Sequence, residues 1–423
     1  MRTTVLLSFA LAATAAFSLS AQQPAAAAGT GSVTGHITCG DTQRPARFAQ
    51  VMLFAVPTTT SAPMDPNAKP DSAAIAAAMK SAMGSMSSLV FTQTGIDGSY
   101  VAASVAPGDY YVFATVAGYV QPMALVQAAA DAGTDLKKPI PGIPTVHVTA
   151  DRSVSADVTL QRGGAISGKV VWDDGSPVTH AVLTAESTRS ETKPLPPEFA
   201  MLAMSGAMAG SLGLISDDLG NFRLSGLAPG EYRVKTTLQV KMNFAMQAGA
   251  IILNSMMADK PLVIYAPSTL HKAEAKAVTV KSGDEQRDQL ITINLGGMHS
   301  VSGSITSAED HHGINSASVE LTDVSDKDLV RSAGVDANGN FTVSFVPPGT
   351  YSMEVSDAAD TEPSKKKPGT GLIKFTTTDT LRSYENVKQS VIVGDHDVTG
   401  QDAALTPSKT VKKDLDLNDL LKQ

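Results

Sequence analysis

The stretch DDLGNFRLSGLAPGEY, at residues 217–232, decides the fold because its spacing recurs twice in the chain. Residues 95–110 read GIDGSYVAASVAPGDY, and residues 336–351 read DANGNFTVSFVPPGTY. A repeat at fixed spacing indicates tandem copies of one structural unit. The matched positions are Gly98, Tyr100, Val105, Pro107, Gly108 and Tyr110, then Gly220, Phe222, Leu227, Pro229, Gly230 and Tyr232, then Gly339, Phe341, Val346, Pro348, Gly349 and Tyr351.

The repeated stretch has the chemistry of a β-hairpin. Short acceptor side chains precede or flank the first glycine, which supplies a positive φ, and together they predict a tight turn. The aromatic and aliphatic residues alternate with polar ones, as in a half-buried strand. The Pro-Gly pair fits the central positions of a type II turn. We interpret the tyrosine that follows as a core residue whose hydroxyl reaches a backbone partner.

Each hairpin is surrounded by further strand-like segments. A segment with an internal glycine opens each copy, a second alternating segment precedes the hairpin, and a third closes the copy. Short strands separated by Gly, Pro and Asp predict antiparallel sandwiches. We therefore divide the chain into units 1, 2 and 3, at residues 31–162, 163–296 and 297–406. The segments are 33–37, 49–54 and 154–160 in unit 1, 166–170, 181–185 and 290–295 in unit 2, and 301–305, 317–321 and 398–405 in unit 3.

These motifs resemble those of the carboxypeptidase regulatory-like domain. The resemblance rests on the opening V-x-G-x-[VI] strand, then D-x-x-G-x-[FY], then [VL]-x-P-G-x-Y, and it covers nearly the whole mature chain. It implies a transthyretin-like or prealbumin-like fold, related to the Cna B-type domain and to the carbohydrate-binding-like fold. We therefore expect an all-β chain of three tandem prealbumin-like antiparallel β-sandwich domains. The first copy departs from the pattern, since Gly95 stands where the motif has Asp.

The two ends of the chain differ from the units. Residues 1–21 combine Arg2, an apolar run over 5–17 and small residues at the end, which predicts a cleavable secretory signal. The mature chain is then secreted, periplasmic or on the cell surface. We expect no transmembrane segment in it, because no later stretch reaches the roughly 18 apolar residues of a spanning helix. The tail at 407–423 is charged, and we expect it to be disordered or a frayed helix.

Three insertions, at 57–90, 188–214 and 238–260, are rich in Ala and Met. Their apolar residues recur at helical spacing, which predicts short amphipathic helices packed on the sandwiches. Two other interpretations remain open: a surface for a protein partner or for lipid, and a Cu(I) site made of thioethers. The residues are Ile75, Met79, Met83, Met86 and Val90, then Met201, Met204, Met208 and Leu212, then Met242, Met246, Leu253 and Met257.

Composition and motifs argue against several functions. A net charge of −8 disfavours a nucleic-acid partner, because such binding draws on clustered Lys and Arg. Cys39 is the single cysteine and cannot form an internal disulfide. His271 and Glu274 have the H-x-x-E spacing of a zinc site, but His396 lies in another unit. The pair beginning at His311 suits a solvated turn better than a metal site. We expect no enzyme, metal or cofactor.

The resemblance to Cna B-type domains raises one covalent possibility. An internal isopeptide bond in such domains needs a Lys on the first strand, an Asn on the last and a buried carboxylate. Unit 2 offers Lys169, Asn294 and Glu186, whereas the equivalents of Lys169 are His36 and Ser304. Only unit 2 is therefore a candidate. Lys and Asn residues on strands are usually solvated, and we take that as the alternative.

The leading hypothesis is an exported, non-catalytic binding or structural protein. The resemblance to the carbohydrate-binding-like fold makes glycan the first ligand class, although a fold does not fix a function. The candidate binding residues are Trp172, Tyr119 and Tyr265, and each tyrosine also suits a core position. The alternative is an envelope protein that docks a protein partner through its Met-rich helices.

Overall fold

The structure, a computed structural model, describes residues 29–57, 89–189, 193, 195–196, 198–199, 202, 215–238, 260–363 and 378–408. The expected signal sequence, most of the three insertions and the tail beyond residue 408 lie outside these residues. The methionines of the helical stripes lie outside them too. Among the described helices, none is both long and apolar enough to cross a bilayer.

Unit 1 consists of two sheets. Its strands are β1 (Gly31–Cys39), β2 (Arg44–Pro45), β3 (Gln50–Ala55), β4 (Val90–Gln93), β5 (Ser99–Val105), β6 (Gly108–Thr115), β7 (Thr145–Val148), β8 (Ser153–Ser155) and β9 (Val158–Leu160). In the first sheet, β1 pairs with β2 and β5 on one side and with β8 and β9 on the other. The second sheet has the antiparallel order β4-β3-β6-β7.

Units 2 and 3 repeat this arrangement. The strands of unit 2 are β10 (Gly164–Trp172), β11 (Val182–Ser187), β12 (Asn221–Leu227), β13 (Gly230–Leu238), β14 (Leu262–Tyr265), β15 (Ala277–Val280) and β16 (Glu285–Ile293). Those of unit 3 are β17 (His299–Ser307), β18 (Ser316–Asp323), β19 (Val330–Gly334), β20 (Asn340–Val346), β21 (Gly349–Pro363), β22 (Thr378–Ser383), β23 (Val387–Val393) and β24 (Ala403–Leu405). One sheet has the order β12-β10-β16 in unit 2 and β20-β17-β24 in unit 3; the other is built around β13 in unit 2 and around β21 in unit 3.

Each unit encloses its own cluster of buried apolar side chains between its two sheets. Ile37, Val170 and Ile305 occupy the same place in the repeat, and all three are fully buried. Burial of such a side chain contributes about 1.5–3 kcal/mol to folding. The expected all-β sandwich fold is confirmed.

The closing strand departs from a purely antiparallel sandwich. β9, β16 and β24 run parallel to the opening strand of their own unit. The glycine inside the opening strand makes room for the closing segment: a Cβ on Gly35 would lie 1.9 Å from the carbonyl oxygen of Ala156. Any side chain there would clash with backbone, so the motif glycine is required by close packing.

The turn of the repeated hairpin forms as predicted. The Asp217 carboxylate accepts a hydrogen bond from the Asn221 backbone N–H at 2.7 Å, and Gly220 has a φ of 77°. In unit 1, Gly95 replaces the aspartate, yet the backbone bond from its N–H to the Ser99 carbonyl remains at 2.8 Å. The aspartate therefore supports this turn without being required for it.

The Pro-Gly pair does not form the type II turn that we predicted. Such a turn needs a positive φ at glycine, and neither Gly230 nor Gly349 has one. The hydroxyls of Tyr232 and Tyr351 instead donate to the carbonyl oxygen four residues earlier, at 2.7 and 2.9 Å. A Cβ on Gly349 would lie 3.3 Å from a ring carbon of Tyr351. The glycine thus lets the tyrosine ring lie against the chain.

A helix that the sequence did not indicate, α1 (Pro122–Asp131), packs on the outer face of the β3–β6 sheet. Val126 is fully buried there, together with Phe54 and Tyr111. Phe199, from the unit 2 insertion, joins the same cluster, with its ring centroid 5.2 Å from that of Phe54. Leu202 is 3% exposed beside it. These two described residues of the insertion therefore pack on unit 1, while the residues of its predicted helical stripe lie outside the described part of the chain.

Candidate binding surface

Two of the three predicted binding residues are core residues. Tyr119 is 6% exposed and Tyr265 is 7% exposed, so neither ring offers a free face for stacking on a ligand. Trp172, at the end of β10, is half-buried and packs against the edge of the unit 2 core. The backbone N–H of Trp172 donates to the Ser176 carbonyl at 2.8 Å and closes the following turn.

Tyr119 lies where unit 1 meets unit 2. Its hydroxyl donates to Asp41 at 2.8 Å, and the Arg162 guanidinium carbon lies 5.2 Å from the centre of its ring. Burial raises the pKa of the Tyr119 phenol well above its usual value. A Cβ on Gly226, in the unit 2 hairpin, would lie 2.5 Å from the Tyr119 carbonyl oxygen. The side chain of Tyr119 therefore bonds within unit 1, while its backbone lies against the unit 2 hairpin.

Tyr265 lies in a comparable setting at the end of β14. The Lys235 ammonium lies 5.9 Å from the centre of its ring. Burial raises the pKa of its phenol to about 12. Its role is packing, as the core interpretation predicts.

The exposed aromatic residues lie elsewhere, on unit 1. Among the described aromatic side chains, Phe48 and Phe91 alone are exposed, at 64% and 70%. Gln93 follows Phe91 on the same face of β4, pairs with Gln50 of β3, and donates from Nε2 to the Phe48 carbonyl at 3.1 Å. Ile96, in the adjoining turn, is 67% exposed. We name these five residues the phenylalanine surface.

The loop that carries Phe48 is fixed on both sides by one buried hydroxyl. Thr94 is 2% exposed, donates to the Ala46 carbonyl at 2.6 Å, and accepts from the Ala49 N–H at 2.8 Å. Phe48 itself has a φ of 54°, a left-handed backbone that bulky residues rarely adopt. The two anchored alanines hold Arg47 and Phe48 between them in one conformation.

A polar cluster occupies the end of unit 3. His312 Nδ1 lies 2.5 Å from Asp310, its Nε2 lies 3.0 Å from Asp360, and the Tyr384 hydroxyl donates to Asp360 at 2.7 Å. Hydrogen bonds to the two carboxylates raise the pKa of His312. Those from Ser307 and His312 lower the pKa of Asp310 to about 2. The described ranges contain no group of three acidic, His or Cys residues placed to hold a metal.

The H-x-x-E pair has a structural setting. His271 Nδ1 lies 2.7 Å from Asp326 of unit 3, and the Glu274 carboxylate accepts from Thr269 at 2.7 Å. His271 and Glu274 thus bond to different partners and do not form a common site. His396 pairs with Asp395, its neighbour in sequence.

The isopeptide candidates of unit 2 are not brought together. Lys169 pairs with Leu290 along β10 and β16, whereas Asn294 follows Ile293, the partner of Trp172. Four residues of strand span about 13 Å. Glu186 lies on the other sheet, where it pairs with Lys235 and Lys272. The three side chains therefore lie too far apart in this structure for an isopeptide bond, and Lys169 and Asn294 are exposed, as in the alternative given above.

Units 2 and 3 meet through buried polar contacts. Arg331 is 4% exposed and donates from Nη1 to the Lys260 carbonyl at 2.7 Å and from Nη2 to the Ser344 carbonyl at 3.0 Å. Lys260 bonds back, from its N–H to Ser332 and from Nζ to Glu320. One guanidinium thus ties both units together.

One part of the chain matches a known family. Residues 300–368, within unit 3, match the model of the carboxypeptidase regulatory-like domain. The matched range spans the opening strand, the hairpin and the tyrosine described above, including Gly303, Gly339 and Tyr351. Outside the matched range, the close approach of the opening-strand glycine to backbone recurs at Gly35 and Gly168, and the tyrosine bond recurs at Tyr232.

Several solved structures are similar to the whole array or to part of it. The Bacillus anthracis TIE protein is 12% identical with a TM-score of 0.18, over 89% of this chain and 51% of its own, so this chain spans about half its length. A streptococcal ancillary pilin is 12% identical with a TM-score of 0.24, over 90% and 99%. A putative carbohydrate binding protein from Pseudomonas aeruginosa is 19% identical with a TM-score of 0.17, over 26% and 90%. No curated protein matches this chain.

Proposed function

We propose that this chain is an exported, non-catalytic binding and spacer protein of the cell surface, in which unit 1 binds glycan and units 2 and 3 extend from it. The observation that carries the proposal is the phenylalanine surface. Large exposed apolar surfaces mark interaction sites, and the two exposed rings lie on one sheet edge together with Gln50 and Gln93. Amide side chains beside rings suit a sugar, which offers both apolar faces and hydroxyls.

A structural role for the rest of the array supports the proposal. The repeated glycines and tyrosines serve packing, and Arg331 and Tyr119 serve the joints between units. Each unit has its own core, so we treat 31–162, 163–296 and 297–406 as separate folding units. Rigid joints between them would hold unit 1 at a fixed distance from the rest of the chain.

Co-sedimentation with insoluble glycans tests the proposal. The purified mature chain, residues 22–423, is mixed with peptidoglycan, cellulose and chitin, and the bound fraction is measured. We expect saturable pelleting that falls at least tenfold in the variant F48A/F91A. The variant L381A/I392A is the matched control, because it truncates exposed residues of unit 3, at 57% and 73%.

Either of two results would overturn the glycan proposal. If F48A/F91A pelleted as much as the wild-type chain, the phenylalanine surface would not be the glycan-binding site. No pelleting by the wild-type chain with any glycan would leave the alternative, a protein partner bound through the Met-rich insertions. In the second insertion, Phe199 is fully buried against unit 1, so its side chain would not be part of that partner-binding surface.

A further inference from the structure

We infer that the glycan bound by the phenylalanine surface is acidic, a polymer that carries carboxylates, and that Arg44 and Arg47 select it. This inference rests on the proposed glycan binding. It concerns two arginines that the fold and its joints do not use.

Arg44 and Arg47 lie within four residues of Phe48. Both are exposed, and neither forms an ion pair within the described part of the chain. Arg44 is in β2, where it pairs with Cys39, and Arg47 lies between the two alanines anchored by Thr94. The backbone under both guanidinium groups is therefore fixed before a ligand arrives, which lowers the entropy cost of binding.

Two carboxylates of the adjoining turns bond to other groups. Asp97, in the turn with Ile96, accepts from the Ser99 hydroxyl and N–H at 2.7 and 3.1 Å. Asp41 accepts from Tyr119 and lies 3.8 Å from Arg162. Neither carboxylate forms an ion pair with Arg44 or Arg47 in the described part of the chain, so both guanidinium groups can pair with an external anion. Guanidinium groups bind carboxylates through paired hydrogen bonds, which favours Arg over a simple cation for this task.

The net charge of −8 opposes binding of a polyanion, so distance decides which effect wins. At physiological salt, exposed charges are screened beyond about 8 Å. A ligand lying on Phe48 is within that range of the loop arginines, whereas most acidic residues lie in other units. At this surface, the positive charge of Arg44 and Arg47 therefore acts on the ligand more strongly than the negative net charge of the chain.

The layout suits an extended polymer. Phe91 pairs with Met52 inside β3, whereas Phe48 lies in the turn just before β3 begins at Gln50, so the two rings lie at different points along the same sheet edge. Gln50 and Gln93 lie between them. A chain of sugars lying along this edge meets one ring at each end and the arginines at the loop.

The test uses polygalacturonate and its methyl ester, which share one backbone and differ in charge. Binding of both to the full mature chain is measured by calorimetry at 50 mM and 300 mM salt, and we expect at least tenfold tighter binding of polygalacturonate at low salt. The variant R44Q/R47Q should lose this preference and keep binding to the ester. The variant K137Q/K138Q removes two exposed charges elsewhere on unit 1 and should keep the preference within twofold.

The outcomes separate the two proposals. Equal binding of both polymers, unchanged in R44Q/R47Q but lost in F48A/F91A, overturns the acidic ligand and leaves glycan binding in place. Binding of neither polymer, together with no pelleting on insoluble glycans, overturns both. Vesicles with 30% anionic lipid form a third arm, and binding to them without binding to polygalacturonate assigns the surface to a membrane and overturns this inference.

Discussion

Gly168 lies directly against the carbonyl oxygen of Gln289, so that a Cβ added to the glycine would lie 1.8 Å from that oxygen. The same relationship joins Gly303 to Gln401 at 2.3 Å. Backbone atoms cannot give way as a flexible side chain can. The glycine in the middle of each opening strand, at Gly35, Gly168 and Gly303, therefore controls whether the closing segment can pair with that strand.

Replacing Gly168 with alanine is expected to destabilise unit 2 by about 3 kcal/mol, in the upper range for overpacking a core. Trp172 is the only tryptophan and lies in unit 2, so its fluorescence during urea unfolding reports on that unit. Lys169→Ala is the control, because it changes an exposed side chain next to Gly168 on the same strand of unit 2. If the urea midpoint of Gly168→Ala equalled that of the wild type, pairing of the closing strand would not require glycine at this position.

The tyrosine hydroxyls of the Pro-Gly-x-Tyr motif are expected to contribute about 1 kcal/mol each. Tyr232→Phe and Tyr351→Phe keep the ring and remove the bond to the carbonyl four residues earlier. Tyr265→Phe is the control, since among the described residues no hydrogen bond of its hydroxyl is found. Chemical denaturation of the three variants would contradict the prediction if all lost the same stability.

Much of the fold could be predicted from the sequence because the repeat fixes local geometry. The opening strands, the Asp-Gly turns and the core tyrosines follow from φ preference and alternation, which are properties of a few neighbouring residues. The Pro-Gly turn was mistaken because the tyrosine bond, a contact between residues four apart, outweighed the dipeptide preference. Parallel pairing of β1 with β9 depends on contacts between residues 121 apart, such as Ile37 with Val158, and local patterns do not contain it.

The binding surface was harder to predict than the fold. The sequence shows that Tyr119 and Tyr265 are aromatic, but it does not show whether their rings are exposed, because exposure depends on tertiary packing. Both rings are buried. Phe91 lies on β4, which begins at the last residue assigned to the 57–90 insertion, so its strand was not recognised. The alternation Val90, Phe91, Thr92, Gln93, with Phe91 and Gln93 exposed, is the signal that was available.

Arg331 is expected to stabilise the joint between units 2 and 3. Arg331→Met leaves the carbonyls of Lys260 and Ser344 without this donor, and an unsatisfied buried group costs about 1–3 kcal/mol. Calorimetry should show a lower transition temperature for unit 3 and less cooperativity with unit 2. Lys388→Gln removes an exposed pair with Glu354 in the same unit and should change stability by less than about 0.5 kcal/mol. Unchanged cooperativity in Arg331→Met would place the joint elsewhere.

His312 is expected to make the end of unit 3 sensitive to pH. Hydrogen bonds to Asp360 and Asp310 raise its pKa, so the folded state binds the proton more tightly than the unfolded chain, whose histidine has a pKa of about 6.5. The stabilisation is therefore complete below pH 6.5 and is lost as the pH rises through the higher folded pKa. The other groups around the ring are Tyr384, which bonds to Asp360, and Arg382, which pairs with Glu309.

NMR titration of the imidazole Cε1 proton measures this directly, with His312→Gln identifying the signal. The pKa should lie above 6.5 in the wild type and fall in Asp360→Asn, which removes the largest cause of the shift. Asp395→Asn, which removes the partner of His396 in the same unit, should leave it unchanged. Urea midpoints of unit 3 should fall between pH 6 and pH 9 in the wild type and much less in His312→Gln. The same fall in both proteins would mean that another group carries the pH dependence.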